Sequence, residues 1–229
     1  MKVDYFYIIH RKQDTNRMEN VKKIIELTPC SNYEIVNEDS DLWTGVDRCL
    51  RETLICMWSK KIVKPIVSLY WNHMNIIRDI YKRKLQNVIV YEDDTNITSD
   101  FNLEIDLSKI YVNLNTGYYI YKTGEKQITM DKYIELGRPD DYKVKMLSTN
   151  ALYYPNQDGS IKEFLDNMDD YRKKKKNRVR PIDMEIDRMI KKYKLQDKIV
   201  AYSNIGFSHN FDFVSTLGNN QYNNFLKKV

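Results

Sequence analysis

Residues 87–94 read Asn-Val-Ile-Val-Tyr-Glu-Asp-Asp, an apolar β-branched run followed directly by three carboxylates. A short run of this kind predicts a buried β-strand over residues 88–91. Three adjacent acids repel one another unless cationic groups neutralise them, and a divalent metal with oxygen ligands is a common solution. Ligands of open α/β sheets bind beyond the carboxyl ends of the strands, which is where these acids fall. A solvated acidic turn explains the same residues equally well.

The composition indicates a chain that buries a core and keeps a charged surface. Of its 229 residues 42% are hydrophobic and 30% are charged, and the net charge of +5 suits small anionic ligands as well as nucleic acid. Three cysteines without a C-x-x-C pair argue against a disulfide framework and against a cysteine zinc site. We find no signal peptide and no apolar run of transmembrane length. These features lead us to expect one cytoplasmic domain over residues 1–229.

The hydrophobic periodicity alternates between strands and helices along the chain. Strands are predicted at residues 3–9, 33–36, 88–91, 110–114, 118–121, 143–154 (one long strand or a pair) and 198–202. Helices are predicted at residues 18–27, 42–58, 65–81, 161–168 and 182–190, the third of them opening at Pro65. Such alternation predicts an α/β domain.

Four short motifs follow one another in a characteristic order. They are residues 7–11 (Tyr-Ile-Ile-His-Arg) with Asp14 and Arg17, the acidic cluster with Asp100 and Phe101, residues 148–154 (Ser-Thr-Asn-Ala-Leu-Tyr-Tyr), and residues 180–183 (Arg-Pro-Ile-Asp). In order and spacing they resemble glycosyltransferase family 25, which includes lipooligosaccharide and procollagen galactosyltransferases. The resemblance spans nearly the whole chain, and the Glu-Asp-Asp segment is its most specific part.

The chain departs from the pattern of that family at two places. The family has Ile-Asn-Leu where this chain has Ile8-Ile9-His10. It has Gly-Cys-x-x-Ser-His where this chain has Ser-Leu-Tyr-Trp-Asn-His at residues 68–73, so that only His73 of the second motif remains. Both departures bear on the substrate preference.

The resemblance implies a GT-A-like fold with a mixed, mostly parallel central sheet flanked by helices. It implies a nucleotide-sugar-binding half in the first hundred or so residues and an acceptor-binding half in the rest. The implied reaction is inverting transfer of a hexose, galactose or glucose, from a UDP-sugar to a hydroxyl group of a glycan or protein, with Mn²⁺ or Mg²⁺ as the metal. No nucleic acid partner is expected.

The same resemblance implies a set of residues around the donor. Those near the nucleotide-sugar are His10, Arg11, Asp14, Arg17, His73, Glu92 and Asp93. Three of these residues also have plainer explanations. His73 lies on the apolar stripe of its helix, as a core histidine would. Likewise, Asp14 and Arg17 are spaced as an ion pair at a helix N-terminus would be.

The implied metal ligands are Asp94 first, with Glu92 assisting, and His209 completing the shell late in the chain. Glu92 and Asp94 bracket Asp93, so they point one way if the strand geometry persists. For His209 a surface-loop histidine after the last strand is the alternative.

The implied catalytic base is Asp183, two residues after Pro181, with Asp187 one turn further along the same helix face. An acid at a helix start is also favoured by the helix dipole without any function. The basic residues 172–176, with Arg178 and Arg180, suit an acidic acceptor or a diphosphate, and equally a solvated loop.

Two other functions compete with the transferase. One is a metal-dependent nuclease built on the acidic cluster, which lacks an acid-x-Lys partner here. The other is a non-catalytic GT-A-like module that binds a glycan or a partner, which the departures at His10 and Asn72 would suit.

Overall fold

The structure is a computed structural model, and it describes residues 1–37, 60–98, 101–102, 104–105, 107–114, 118–121, 135–137, 143–146, 149–174, 182–195, 198–201 and 207–209. Its strands are β1 (Tyr5–His10), β2 (Tyr33–Asn37), β3 (Val88–Glu92), β4 (Thr95–Ile97), β5 (Tyr111–Asn113), β6 (Tyr118–Tyr121), β7 (Lys143–Met146), β8 (Ala151–Tyr154), β9 (Ile199–Ala201) and β10 (Phe207–His209). Its helices are α1 (Met18–Leu27), α2 (Lys60–Arg83), α3 (Ile161–Lys174) and α4 (Ile182–Tyr193), and a 3₁₀ turn at Thr15–Arg17 precedes α1. The helix predicted at residues 42–58 lies outside the described residues.

The central sheet has six strands in the described part of the chain, in the order β2-β1-β3-β8-β5-β9. Strands β2, β1 and β3 are parallel, β8 is antiparallel to both of its neighbours, and β5 and β9 are again parallel. Two-stranded ribbons β4–β10 and β6–β7 accompany this sheet. The predicted α/β fold with a mixed, mostly parallel sheet is confirmed. Within the described ranges no helix is long and apolar enough to cross a membrane.

Alternate side chains of the central strands face two separate cores, because successive residues of a strand point to opposite sides of the sheet. On β1, Phe6 and Ile8 pack with α1 on one face. Tyr7 and Ile9 pack with α2, α3 and α4 on the other face. The carboxyl ends of β1 and β3 therefore meet at an edge that lies between α1 and the three-helix layer.

The helix predicted at residues 65–81 was expected to open at Pro65. That expectation is wrong, because the corresponding helix, α2, already includes Lys60. Proline lacks a backbone N–H and crowds the carbonyl four residues earlier, which disrupts a helix interior. In this chain α2 nevertheless continues without a break from Lys60 to Arg83. The long apolar stripe that follows, from Val67 to Ile80, is buried in the core and holds the helix on the sheet.

The sequence did not predict the ribbon formed by β4 and β10. Each strand has three residues, which is too short for an alternation of apolar and polar residues to be recognised in the sequence. Pairing between segments far apart in the chain decides their structure. As a result His209, which was expected after the last strand, lies in a strand itself.

Asn87 ties together three strands at the end of the sheet opposite the acids. Its φ of 50° is in the left-handed region, which asparagine tolerates better than most residues. Its Nδ2 donates to Asp4 Oδ2 at 2.6 Å, and its Oδ1 accepts from Tyr153 Oη at 2.8 Å. Its backbone N–H donates to the carbonyl of Pro155 at 3.1 Å. The start of β1, the start of β3 and the end of β8 thus share one polar residue.

We predict that Asn87→Ala lowers the free energy of unfolding by about 2–4 kcal/mol, because it removes buried hydrogen bonds and places a Cβ-bearing residue without local polar support in the left-handed region. Urea denaturation would measure the change. Asn32→Ala is the matched control, because its side chain makes one exposed 3.4 Å contact with the Asp4 carbonyl. Equal losses in the two variants would contradict the role assigned to Asn87.

Candidate functional site

The acidic cluster straddles the end of a strand. Strand β3 ends at Glu92, and residues 93–94 form a turn that leads into β4. The strand geometry therefore does not persist to Asp94, and the argument that Glu92 and Asp94 point one way does not hold. Each of the three carboxylates meets a different set of protein donors.

Asp93 belongs to a buried ion network. Arg17 Nη1 donates to Asp93 Oδ1, and it lies 3.5 Å from Asp94 Oδ2. His10 Nδ1 is 2.9 Å from Asp93 Oδ2, and His10, Arg17 and both aspartates are buried. Burial alone would lower the pKa of Arg17, but the attraction of Asp93 and Asp94 outweighs burial and raises it. The cation that the acids require is thus supplied by the protein itself.

The backbone of the turn is held by α1 and β1. Asn20 Nδ2 donates to the carbonyls of Asp93 and Thr95, both at 2.9 Å. The backbone N–H of Asp93 donates to the carbonyl of Ile9 at 3.1 Å. Asn20 lies in the first turn of α1 because the 3₁₀ turn before it brings the chain back from the end of β1. The positions of the acids are therefore set by two elements besides their own.

Asp94 contacts a residue that had no predicted role. Asn150 Nδ2 donates to Asp94 Oδ1 at 2.6 Å, and Thr95 Oγ1 donates to the Asn150 carbonyl, also at 2.6 Å. Asn150 stands just before β8, which runs antiparallel to β3 with Ala151 opposite Tyr91. Because β8 runs antiparallel to β3, the residues just before β8 lie beside the end of β3. Asn150 belongs to the motif at residues 148–154, but the sequence does not reveal that β8 pairs antiparallel to β3.

Glu92 faces the three-helix layer. Its Oε1 is 3.3 Å from Nε2 of His73 on α2, and it accepts a hydrogen bond from Thr149 Oγ1. His73 is fully buried, and its Nδ1 has no hydrogen-bond partner among the described residues. His73 is therefore a buried histidine, as the core interpretation requires, and it also touches the acidic cluster.

Asp183 is brought close to Glu92. It lies half-buried in the first turn of α4, where its Oδ1 accepts the N–H of Met184 at 2.8 Å. Loss of hydration raises the pKa of Asp183 to about 7, and the charges of Glu92 and Asp187 add to that rise, while the Met184 hydrogen bond opposes it. A carboxyl with a pKa near 7 is suited to general-base work at neutral pH.

Asp187 differs from Asp183 in its partner. Its carboxylate pairs with Lys191 Nζ at 2.8 Å, one turn along α4. Lys191 is exposed, so this ion pair is open to solvent. Of the two predicted candidates for a base, Asp183 has the environment that suits the role.

Arg11 and Asp14 form a turn after β1. Arg11 Nη2 is 3.6 Å from Asp14 Oδ1, and the backbone N–H of Asp14 donates to the Arg11 carbonyl at 2.9 Å. Asp14 Oδ2 is buried, and no described residue donates a hydrogen bond to it. A buried carboxylate oxygen in this condition favours a hydroxyl or amide donor from a ligand.

The structure gives the backbone position of His209, the last predicted metal ligand. In the β4–β10 ribbon it stands opposite Thr95, the residue after Asp94. A residue near the end of the described chain thus returns to the acidic turn.

The described residues contain no group of three or more His, Cys, Asp or Glu side chains arranged to hold a metal ion. Asp93 is already engaged by Arg17 and His10, and Glu92 by His73. A metal at this edge would have to draw part of its ligand set from a bound substrate, with Asp94 as its nearest protein ligand.

Comparison with known proteins shows a similarity of fold to solved structures. No family model matches this chain, and no curated protein matches it. Among solved structures it is similar to a glycosyltransferase involved in the glycosylation of the major capsid of PBCV-1, with a TM-score of 0.50, 9% identity and coverage of 100% of both chains. It is also similar to the glycosyltransferase GlyE of Streptococcus pneumoniae TIGR4, with a TM-score of 0.44 and 11% identity over 88% of this chain, which spans 45% of the GlyE chain.

At this level of identity the full-length similarity to the PBCV-1 protein concerns the fold alone. The chain has the α/β fold of a glycosyltransferase, as predicted. Membership of family 25 in particular, and the roles of the individual residues, stay predictions.

We predict that Arg17→Met and Asp93→Leu each lower the free energy of unfolding by about 3–5 kcal/mol, since each leaves buried charge without its partner. The double variant Arg17→Met/Asp93→Leu should recover much of that loss, because no buried charge then remains in the pair. Denaturant unfolding of the four proteins gives the coupling energy. Losses that simply add would show that the two residues act independently.

Proposed function

We propose that this protein is a glycosyltransferase that moves a hexose, galactose or glucose, from a UDP-sugar to a hydroxyl group of a glycan or protein acceptor with inversion. The observation that carries the proposal is the desolvated carboxyl group of Asp183 at the start of α4, within electrostatic reach of Glu92 at the end of β3. These residues lie ninety-one positions apart in the sequence, and they were predicted separately as base and donor-site acid. The fold shared with a known glycosyltransferase supports the same assignment.

The donor would bind at the edge between β1 and β3. Asp14 offers a buried acceptor oxygen of the kind that a ribose or sugar hydroxyl satisfies, and Arg11 beside it offers a cation for phosphate. Arg17 and His10 serve the donor through Asp93, by keeping the acidic turn in place. Asp14 is therefore a cleaner probe of donor binding than Arg17, whose loss would also disturb the turn.

The metal in this proposal is Mn²⁺ or Mg²⁺. Asp94 is its main protein ligand, Glu92 and His209 are the further candidates, and the donor diphosphate completes the set. A divalent cation supplies Lewis-acid stabilisation of the diphosphate as it leaves. Asn150 orients the Asp94 carboxylate, because its Nδ2 holds one of the two oxygens.

The acceptor would enter from the α4 side. Asp183 would accept the proton of the attacking hydroxyl group, and the nearby negative charge of Glu92 would keep its pKa high enough for that transfer. Inversion requires a base on the face opposite the leaving group. The separation of Asp183 on α4 from Asp14 on the β1 side is consistent with that requirement.

The non-catalytic glycan-binding module is the second candidate. The support for this candidate is that the acids already have partners within the protein, because Arg17 pairs with Asp93 and His10 contacts it without any ligand. The fold gives no comparable support to a nuclease.

We predict that Mn²⁺ with UDP raises the melting temperature of the wild-type protein by several degrees, because ligand at a hundredfold its Kd stabilises a protein by about 2.7 kcal/mol. Asp94→Asn should lose this shift and about a hundredfold or more of UDP-sugar turnover, while it keeps the hydrogen bond from Asn150. Differential scanning fluorimetry and UDP release against a panel of UDP-sugars measure both.

Asp158→Asn is the control for this experiment, because it removes one exposed carboxylate from a turn remote from the site. A wild-type protein that binds UDP but turns over no sugar donor would favour the non-catalytic module. A wild-type protein that binds no nucleotide would remove the donor site proposed here.

We predict that kcat/KM rises with pH through about 7 and then levels, because Asp183 must be ionised to act as a base. Asp183→Asn should lower kcat by about a hundredfold to ten-thousandfold. The same carboxyl carries a raised pKa in the folded state, so its contribution to wild-type stability declines as the pH rises from about 4 to about 7. Asp183→Asn should therefore be relatively more stable than wild type at pH 8 than at pH 4. A pH profile that is flat between 6 and 8 would count against Asp183 and direct attention to Asp187.

A further inference from the structure

The positive charge of this protein is concentrated in one segment. Residues 172–194 contain eleven Lys and Arg against three Asp and Glu, a net charge of +8, whereas the whole chain carries +5. The rest of the chain is therefore net negative by three charges. A uniformly solvated surface does not call for such an imbalance, and a local excess of one sign is typical of a surface that attracts a charged ligand.

The two described ends of this segment form one surface. Lys192 Nζ, in the last turn of α4, lies 5.4 Å from the ring centroid of Tyr171 near the end of α3. Lys174 Nζ, at the end of α3, lies 5.8 Å from the ring centroid of Tyr193 on α4. Lys173, Lys192 and Lys194 are exposed. Lysines far apart in the sequence thus project from neighbouring helix ends.

Arg172 connects this surface to α2. Its guanidinium carbon lies 4.6 Å from the ring centroid of Trp71 and 5.5 Å from that of Tyr70, and its side chain is half-buried. Stacking on two aromatic rings restricts the guanidinium before any ligand binds, which reduces the entropy lost on binding. The Nε atom of Arg172 is buried, and no described residue accepts its hydrogen.

The surface lies further along α4 than the predicted base. Tyr70 is within electrostatic reach of both Arg172 and Glu185, and Glu185 is two residues after Asp183 in α4. From Asp183 to Lys192 the helix rises about 14 Å. A short oligosaccharide whose hydroxyl group is at Asp183 would therefore have to span about that length to reach the lysines.

The surface lacks the apolar component of a membrane-binding face. Interfacial helices insert large apolar side chains beside their cations. In α3 and in the last turn of α4, as the structure describes them, no large hydrophobic side chain is exposed. Tyr171 is buried and Tyr193 donates to Asp170, so neither ring offers a platform for stacking nucleic acid bases.

We propose that Arg172, Lys173, Lys192 and Lys194, here called the cationic rim, bind an acidic acceptor glycan through its carboxylate groups. The inference rests on the proposed function, because the reaction supplies the reason why a sugar chain lies at this place. An acidic oligosaccharide carries a carboxylate on each ring, so one ring can present its hydroxyl group to the base while the carboxylates of the following rings reach the rim about 14 Å away along α4.

Binding of tetragalacturonic acid, measured by isothermal titration calorimetry at low salt without a donor, tests the rim. We expect binding that is at least tenfold weaker for the methyl-esterified tetramer, which has the same chain without its charge. Lys173→Glu/Lys192→Glu should weaken binding of the acid by about tenfold, the effect of reversing two exposed charges.

Lys22→Glu/Lys23→Glu is the matched control. Both lysines are exposed on α1, on the opposite face of the sheet, and the variant has the same net charge as the rim variant. Equal weakening in the two double variants would overturn the proposal, because it would reduce binding to general attraction. Equal binding of acid and ester would also overturn it. Tighter binding of tetraglutamate, or of vesicles that contain phosphatidylserine, would replace the glycan with a peptide or a membrane.

This experiment separates the rim from the reaction. A protein that binds the acid through the rim but transfers no sugar refutes the transferase and leaves a glycan-binding module. A protein that transfers sugar without any preference for acidic chains refutes the rim alone.

Discussion

The ion pair between Arg17 and Asp93 is the constraint on which the rest of the site depends. Burying a guanidinium and a carboxylate costs several kcal/mol per ion unless hydrogen bonds satisfy both. Here His10 shares Asp93, and Asn20 holds the backbone of the same turn. The end of β1, the start of α1 and the exit of β3 are therefore joined by polar contacts that tolerate little movement. A reacting group placed at this edge inherits that rigidity, which catalysis by orientation requires.

Four carboxylates near this edge have different environments, and in the proposed mechanism they do different work. Asp93 is paired with Arg17 and His10, whereas Asp94 is oriented by a neutral amide and lies 3.5 Å from Arg17. Asp183 is desolvated near other negative charges, which keeps its proton affinity high. Glu92 contacts His73 and also acts electrostatically on Asp183. If the proposal holds, one residue type supplies an anchor, a ligand and a base because local dielectric and partners differ.

Long periodic segments made most of the fold predictable. Helix α1 begins and ends where its apolar spacing predicted, and the β-branched run of β3 became a buried strand. Predictions failed where distant pairing decides the structure, as in the ribbon that contains His209. For the candidate site, the acidic cluster was singled out because three adjacent carboxylates repel one another, and Asp183 because the family resemblance implies an acid there, while their roles stay predictions. Asn150 was given no role, because an amide before a strand has no distinctive pattern, and its contact depends on β8 running antiparallel to β3.

The antiparallel insertion of β8 beside β3 has a consequence for synthesis on the ribosome. When the chain has emerged only as far as β4, strands β1, β2 and β3 and the Arg17 network can assemble from residues already made. Asp94 then lacks Asn150, and one edge of β3 has no neighbour, until more than fifty further residues have been made. During that interval the nascent domain presents an open apolar strand edge, which is prone to pairing with other chains. The acids at the end of β3, which oppose the approach of another strand by their charge, double as protection for the unfinished sheet.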